Sequence, residues 1–329
     1  MRANLITGLD TAKGLAVAWQ IPLLGVNHMQ AHALTPRLVS AIYKSGDRYI
    51  ANPAFPFLTL LVSGGHTMLV HSKGLCEHEI LANMTDIAVG DMIDKCARDI
   101  LPEHVLKETQ GASYGPLLEK FAFPEGETQY NYRQSSSKED IPATPSWSIT
   151  PPLQNHTRRE AKTYEGMFSF AGIGSSVKRF MQQNPTMDRA ERQLLARETM
   201  RVAFGHLASR ITLALKAPEL SNLKTLVVSG GVASNQYLKY LIRKSLDASG
   251  HEDMELTFPP VQFCTDNAAM IAWTGMEMWD AGYRTTLDVM PLRKWAIDPK
   301  AEDGGILGVD GWERVKLGRS ANLEDTPLE

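Results

Sequence analysis

The chain has 329 residues, 43% hydrophobic and 22% charged, with a formal net charge of −3. This ordinary globular mix is long enough for two domains or two lobes of one enzyme, and it excludes collagen-like, coiled-coil and disordered chains. The longest apolar stretch, 14–26, is broken by Gln20 and Pro22 and falls short of the ~20 apolar residues of a membrane helix, so no membrane partner is expected.

In chain order, 12–19 reads as the end of a helix and 21–26 as a short strand. Met29, Ala33, Leu34, Leu38 and Ile42 recur at helical spacing over 27–43, with Pro36 placed to kink or restart that helix. Residues 45–56 hold Gly, Asp, Asn and two prolines and read as a loop at a lobe boundary. An apolar run over 57–62 ends at Ser63-Gly64-Gly65, and a strand pattern resumes over 67–70, which predicts a hairpin. Met92, Cys96 and Ile100 share one helical face over 88–101. Residues 121–164, rich in Pro, Ser, Thr and charge, read as a surface insertion. Residues 168–170 lead into a turn and then into helices over 175–183 and 188–215. A buried-type strand over 223–228 ends at Ser229-Gly230-Gly231, followed by a helix over 235–246, a strand at 256–258 and a helix over 265–280. Beyond Asp298 the Gly-rich, acidic tail reads as loose. Strands alternating with helices imply an α/β fold.

Val-Ser-Gly-Gly occurs twice, at 62–65 and 228–231, each time after an apolar strand. Such a loop is either a tight turn or an anion-binding turn, in which glycines remove the Cβ atoms and leave N–H groups pointing inward. Neither is a Walker A loop, because no Gly-Lys-Ser/Thr follows. His28 and His32, four apart on a helix, present both rings to one face. They are helix histidines with local bonds or half of a metal site, and imidazole suits zinc or iron(II). Asp266 is a first-turn acid behind an N-cap Thr265, or the third ligand of a two-His, one-carboxylate set. Asp94 belongs to a salt-bridged helix face (Asp91–Lys95, Asp94–Arg98) or faces a ligand, and His66 is a loop donor or a strand residue. The three cysteines, Cys76, Cys96 and Cys264, lie too far apart for a disulfide framework or a zinc finger.

Taken together, the motifs resemble one family. His28-Met29-Gln30-Ala31-His32 is similar to its His-Met-x-x-His element, and residues 61–67 to its Leu-Val-Ser-Gly-Gly-His-Thr loop. Residues 86–98 resemble its Asp-x-Ala-x-Gly-x-x-x-Asp-Lys helix, and 168–172 its Phe-Ser-Phe-Ser-Gly, with Ala171 for the second Ser. Residues 229–235 and 264–273 match its last two signatures. On these grounds the chain is identified as a member of the TsaD-type tRNA threonylcarbamoyl transferases; His66 resembles the bacterial and mitochondrial forms, and residues 30–35 and 86–92 resemble the mitochondrial branch.

The resemblance implies a two-lobed actin/Hsp70/sugar-kinase fold. It divides the chain into 1–54 (remnant of the N-terminal lobe, with the histidines), 55–269 (second lobe, with the insertion) and 270–329 (a helix returning to the first lobe, plus the tail). The family's opening hairpin would lie upstream, so the first lobe is expected to be incomplete and the strand at 21–26 to expose an edge. The implied reaction moves threonylcarbamoyl from threonylcarbamoyl-adenylate to the exocyclic amine of the adenosine beside the anticodon, releasing AMP. By carry-over His28, His32 and Asp266 hold one divalent metal ion, iron or zinc. Leu61, Val62, Ser63, Gly64, Gly65, Asp94, Gly115 and Asn235 bind the adenylate. The implied partners are tRNA and a second copy in a homodimer. The implied location is the mitochondrion, with any transit peptide outside this chain, or otherwise the cytoplasm. An ATP-dependent kinase of the same fold and a truncated non-catalytic paralogue are the alternatives.

Overall fold

A computed structural model describes residues 2–43, 51–107, 113–131, 147–153, 164–292 and 294–315. Two helices open the chain, α1 (Arg2–Trp19) and α2 (His28–Tyr43). A three-stranded meander follows, β1 (Phe57–Val62), β2 (Thr67–Ser72) and β3 (His78–Met84), then α3 (Val89–Ile100), α4 (Glu103–Lys107) and α5 (Gly115–Ala122). The chain returns through β4 (Met167–Phe168), α6 (Ala171–Gln183), the long α7 (Arg189–Ala214), β5 (Thr225–Ser229), α8 (Gln236–Asp247) and β6 (Glu255–Thr257). It ends with α9 (Val261–Cys264), α10 (Ala268–Asp280) and the pair β7 (Tyr283–Thr285) and β8 (Trp312–Arg314). No helix among the described residues is long and apolar enough to cross a membrane.

The main sheet has the order β4-β3-β2-β1-β5-β6. β1, β2 and β3 pair antiparallel, whereas β5 runs parallel to β1 and β6 parallel to β5. All six residues of β1 are buried, because both faces of the sheet are covered. Leu58, Leu60 and Val62 point into the main core with α3, α6, α7 and α8. Phe57 and Leu61 point the other way, where Leu34 and Met29 of α2 cover them. The period-2 alternation of β1 therefore decides which side carries α2, and with it the two histidines.

The expected α/β class, the hairpin and the major helices are present, with several corrections. Residues 21–26 form no strand of the sheet: Pro22 donates no hydrogen bond, and Leu23 makes an isolated bridge to Thr285. α2 runs through Pro36 as one helix. The insertion is not wholly at the surface: Phe121, Phe123, Tyr130, Trp147 and Ile149 are buried in the main core, and Trp147 Nε1 donates to Glu191 at 2.9 Å. Residues 132–146 and 154–163 lie outside the described residues.

The tail is also packed as far as 315. Ile297 and Ile306 are buried against Met278, and Asp298 Oδ2 accepts the Ile80 N–H at 2.8 Å, which fastens the segment to β3. A composition rich in Gly and Asp reads as loose. Here, however, the carboxylates bond backbone amides: Asp303 takes Ala296 N at 2.9 Å and Gly305 N at 3.1 Å.

Two buried histidines make the fold sensitive to acid. His78 lies in β3 between Ser72 Oγ and Leu75 O, each at 3.0 Å, and burial pushes its pKa down to about 4. His206 on α7 stands edge-on to Phe168 and Phe170; burial and then Arg210 push it down to about 4 as well. The unfolded chain takes up these protons near the ordinary 6.5, before the folded one does. Stability is therefore full above that pH and falls as pH drops toward about 4. Urea unfolding of wild type and of His78→Gln at pH 7, 5.5 and 4 should show a shallower fall in the variant; parallel falls would contradict this assignment.

Candidate metal centre and glycine loops

Asn27 starts α2: its Oδ1 accepts the amides of Met29 and Gln30 at 3.0 and 3.1 Å, and its Nδ2 donates to Trp295 O at 3.0 Å. One turn apart on that helix, the His28 and His32 rings meet edge to face at 4.7 Å, with 86° between their planes. Asp266 faces them, its Oδ1 3.0 Å from His32 Nε2 and 3.4 Å from His28 Nε2.

Asp266 reaches this place because the cap of α10 is Asn267, whose side chain accepts the Met270 amide at 2.9 Å. Thr265 is not the cap, and Asp266 is not a first-turn acid of the helix. With the cap two residues later than the sequence pattern indicates, the carboxylate precedes the helix.

Among the described residues His28, His32 and Asp266 form a set of three ligating atoms, all within 4.8 Å of one another. Two imidazoles and a carboxylate make a nitrogen–oxygen donor set of the kind that takes zinc or iron(II). His32 is 8% exposed; burial, then His28, lowers its pKa against the pull of Asp266, which favours a neutral ring with a lone pair to offer. Three donors leave coordination positions open, and the Asp266 side chain is 78% exposed on the solvent side.

A buried ion pair joins α2 to α10. Arg37 donates to both Glu277 oxygens at 2.7–3.0 Å, and both side chains are 12% exposed. The same guanidinium bonds Ala51 O and Pro53 O at 3.0 and 2.6 Å and covers the Phe55 ring at 4.6 Å.

The two Val-Ser-Gly-Gly loops lie side by side. β1 and β5 are parallel neighbours with Leu61 opposite Ser229, so both loops leave the carboxyl edge of the sheet together, where open α/β sheets place their ligands. Gly230 has φ +104°, and a Cβ there would stand 2.4 Å from Val62 O. At Gly90, a Cβ would meet Ser63 O at 2.7 Å and Gly64 N at 2.8 Å; the Gly90 amide donates to that same Ser63 O at 3.2 Å. The start of α3 is thus pressed against the first loop. Gly230→Ala should cost at least ~1–3 kcal/mol from backbone strain alone, read as a lowered unfolding midpoint; a midpoint equal to wild type would contradict the close approach.

Within the first loop, Ser63 Oγ accepts the amides of Gly65 and His66 at 3.2 and 3.0 Å. The exposed amides of Gly64 and Gly231, one from each loop, donate to nothing among the described residues. They remain available to an anion.

The other candidates are differently employed. Asp94 makes no ion pair with Arg98 among the described residues; its Oδ1 accepts the amides of Tyr114 and Gly115 at 2.8 and 3.0 Å. It thereby joins α3 to the start of α5, and burial outweighs those bonds and raises its pKa. Asp91 does pair with Lys95, at 2.7 Å. Asn235 is buried and caps α8, accepting the Leu238 amide at 2.9 Å. Sequence reasoning gave Asp86 no role. Its carboxylate takes the amides of Ile87, Phe170 and Ala171 and the Ser169 hydroxyl at 2.6–3.1 Å. Burial opposes the charge, but these bonds prevail and lower its pKa. Asp86 therefore ties the approach to α3 onto the first turn of α6. The signal was the spacing Asp86-x-Ala88-x-Gly90, two small residues after an acid at a helix start.

A family model described as TsaD, tRNA N6-adenosine threonylcarbamoyltransferase, matches residues 2–273. The mitochondrial tRNA N6-adenosine threonylcarbamoyltransferase of Schizosaccharomyces pombe is 41% identical over 317 residues, 95% of this chain and 67% of that protein. The tRNA N6-adenosine threonylcarbamoyltransferase of Symbiobacterium thermophilum is 32% identical over 288 residues, 87% of this chain and 70% of that one. Among solved structures, HypF of T. kodakarensis aligns with 82% of this chain and 38% of that one at TM-score 0.42 and 14% identity, too distant to bear on function.

Proposed function

The chain belongs to the tRNA N6-adenosine threonylcarbamoyltransferase family, and from that premise we propose that it transfers threonylcarbamoyl from threonylcarbamoyl-adenylate to the adenosine beside the anticodon of tRNA. The attacking group is the adenosine N6 amine. A C–N bond forms at the carbamoyl carbon, the bond from that carbon to the phosphate oxygen breaks, AMP leaves with the electron pair, and N6 loses a proton. The observation that carries the reading is the convergence of His28, His32 and Asp266 in a chain that also sets two glycine loops side by side.

In this reading the three residues hold one divalent cation, zinc or iron. Bound there, the cation supplies Lewis acidity and a template for the acyl end. The Gly64 and Gly231 amides take the phosphate, and Leu61, Val62, Ser63 and Gly65 shape the loop that presents one of them. Asp94 has spent Oδ1 on Tyr114 and Gly115, which leaves Oδ2 for the ribose hydroxyls. Asn235 has spent Oδ1 on its helix cap, and its Nδ2, which reaches Met200 Sδ at 4.0 Å, keeps a second hydrogen for the adenine side. The target base must leave its stack to reach the site, at small cost in an anticodon loop.

We read 1–54 and 270–329 as one lobe and 55–269 as the other, with the triad, borne by α2 and by Asp266 just before α10, between them. The unit is a homodimer, and its place is the mitochondrion, as the name of the S. pombe relative states for that protein. Phosphoryl transfer would give the triad no task.

Metal-loaded protein incubated with unmodified tRNA and threonylcarbamoyl-adenylate should yield threonylcarbamoyladenosine in nucleoside mass spectra, in tRNAs reading codons that begin with A, with one AMP per modified base. Unmodified adenosine throughout would favour a non-catalytic protein.

A further inference from the structure

We propose that Tyr130, inside the insertion, is a positioning residue for the base side of the adenylate site: through Glu119 it fixes the direction in which Asn235 points its Nδ2. The inference rests on the proposed transferase reading, in which Asn235 meets the adenine, and it gives the first part of the insertion a task.

The contacts begin at the ribose side. Asp94 Oδ1 holds the amides of Tyr114 and Gly115, where α5 begins. One turn further along α5, Glu119 Oε1 accepts the amide of Tyr237 at 2.8 Å, in the first turn of α8. That helix is capped by Asn235. α5 therefore runs from the residue read as holding the ribose to the turn beside the residue read as meeting the adenine.

Glu119 restricts Asn235. A cap side chain can accept the second or the third amide of its helix, which here are those of Tyr237 and Leu238. Glu119 occupies the Tyr237 amide, and Asn235 Oδ1 takes the Leu238 amide at 2.9 Å. Because the asparagine amide is planar, a fixed Oδ1 also fixes Nδ2. If Glu119 let go, Asn235 could turn to the Tyr237 amide, and its Nδ2 would swing with it.

Tyr130 in turn restricts Glu119. Its hydroxyl donates to Glu119 Oε1 at 3.3 Å. Its ring is 7% exposed and wedged among Phe123, Tyr237 and Tyr240, with centroids 5.1, 5.3 and 5.6 Å away. A phenylalanine would fill the same space; the hydroxyl is what reaches the carboxylate. Burial, then Glu119, pushes the Tyr130 pKa up to about 12, so the hydroxyl stays a donor. Burial raises the pKa of Glu119, and the Tyr237 amide and then the Tyr130 hydroxyl pull it back toward the charged form.

The test is calorimetry on the full, metal-loaded chain with two probes, AMP and ribose 5-phosphate, which lacks the base. Tyr130→Phe, which keeps the ring, should weaken AMP by about five- to tenfold, the scale of one hydrogen bond, and leave ribose 5-phosphate within about twofold. In an Asn235→Ala background the same change should weaken AMP no further, because its effect passes through Asn235. Glu119→Ala should reproduce the base-selective loss, and Glu119→Gln, which keeps an acceptor, should recover most of it. Equal weakening of both probes, an AMP affinity equal to wild type in Tyr130→Phe, or a further loss in the Asn235→Ala background would each overturn the positioning role. A wild-type chain that binds AMP no more tightly than ribose 5-phosphate would remove the adenine contact itself, and with it the transferase reading of Asn235.

Discussion

Replacing Asp266 by alanine is expected to remove bound metal and threonylcarbamoyl transfer together while leaving the fold intact. The carboxylate is 78% exposed, and its hydrogen bond among the described residues is to His32, 3.0 Å away. Losing an exposed group of this kind moves stability by no more than about 0.5 kcal/mol. Losing one of three ligands should exceed the roughly 10–100-fold that the loss of an outer partner costs a metal site. The variant should melt with wild type, retain little zinc or iron by mass spectrometry, and give no modified nucleoside. Modified tRNA made at the wild-type rate by Asp266→Ala would remove the carboxylate from the mechanism.

Glu277→Ala is expected to cost about 3–5 kcal/mol, because it strands the Arg37 guanidinium without its anion in a buried place. The pair is bidentate, and it fastens three pieces of chain: α2, the 51–55 segment and α10. Both helices carry metal ligands or end beside them, so the damage should not stop at stability. Metal affinity should fall although no ligand has been touched. Replacing both partners with apolar residues (Arg37→Met with Glu277→Leu) should restore much of the stability, since neither charge is then left unpaired. Chemical unfolding of the three proteins decides it; a Glu277→Ala loss below about 1 kcal/mol would mean that water reaches and solvates Arg37.

What could be read from the sequence divides along physical lines. The β1–β2 hairpin and α3 were legible because burial on defined faces writes a period: Met92, Cys96 and Ile100 do share the buried side of α3. α7 lies within a residue of the helix expected over 188–215, and the Asp188 side chain caps its start by accepting the Glu191 amide at 2.8 Å. The start of α1 was not. In this helix Leu5, Ile6, Leu15, Val17 and Trp19 are exposed and Ala16 is buried, so its apolar residues mark no core-facing stripe. β3 was missed because a bulge at Leu69/Val70 breaks its register and its burial is mixed.

The site divides in the same way. The pair His28 and His32 follows from helical spacing alone, whereas Asp266, 234 residues from His32, is one of two alternatives on residue type and is joined to the pair by the resemblance. The identity of the α10 cap could not be read, since Thr265 and Asn267 are both good caps and tertiary contacts decide between them. Nor could the double duty of Asp94 and Asn235, each holding a neighbouring backbone amide, because that depends on which turn lands beside which helix.

X-ray absorption at the metal edge of the loaded protein tests the central claim most directly. We predict multiple scattering from two imidazoles at about 2.0–2.1 Å together with oxygen ligands at about 2.0–2.2 Å, and the loss of one imidazole in His32→Ala. A spectrum of oxygen ligands alone, or one unchanged in His32→Ala, would place the metal elsewhere.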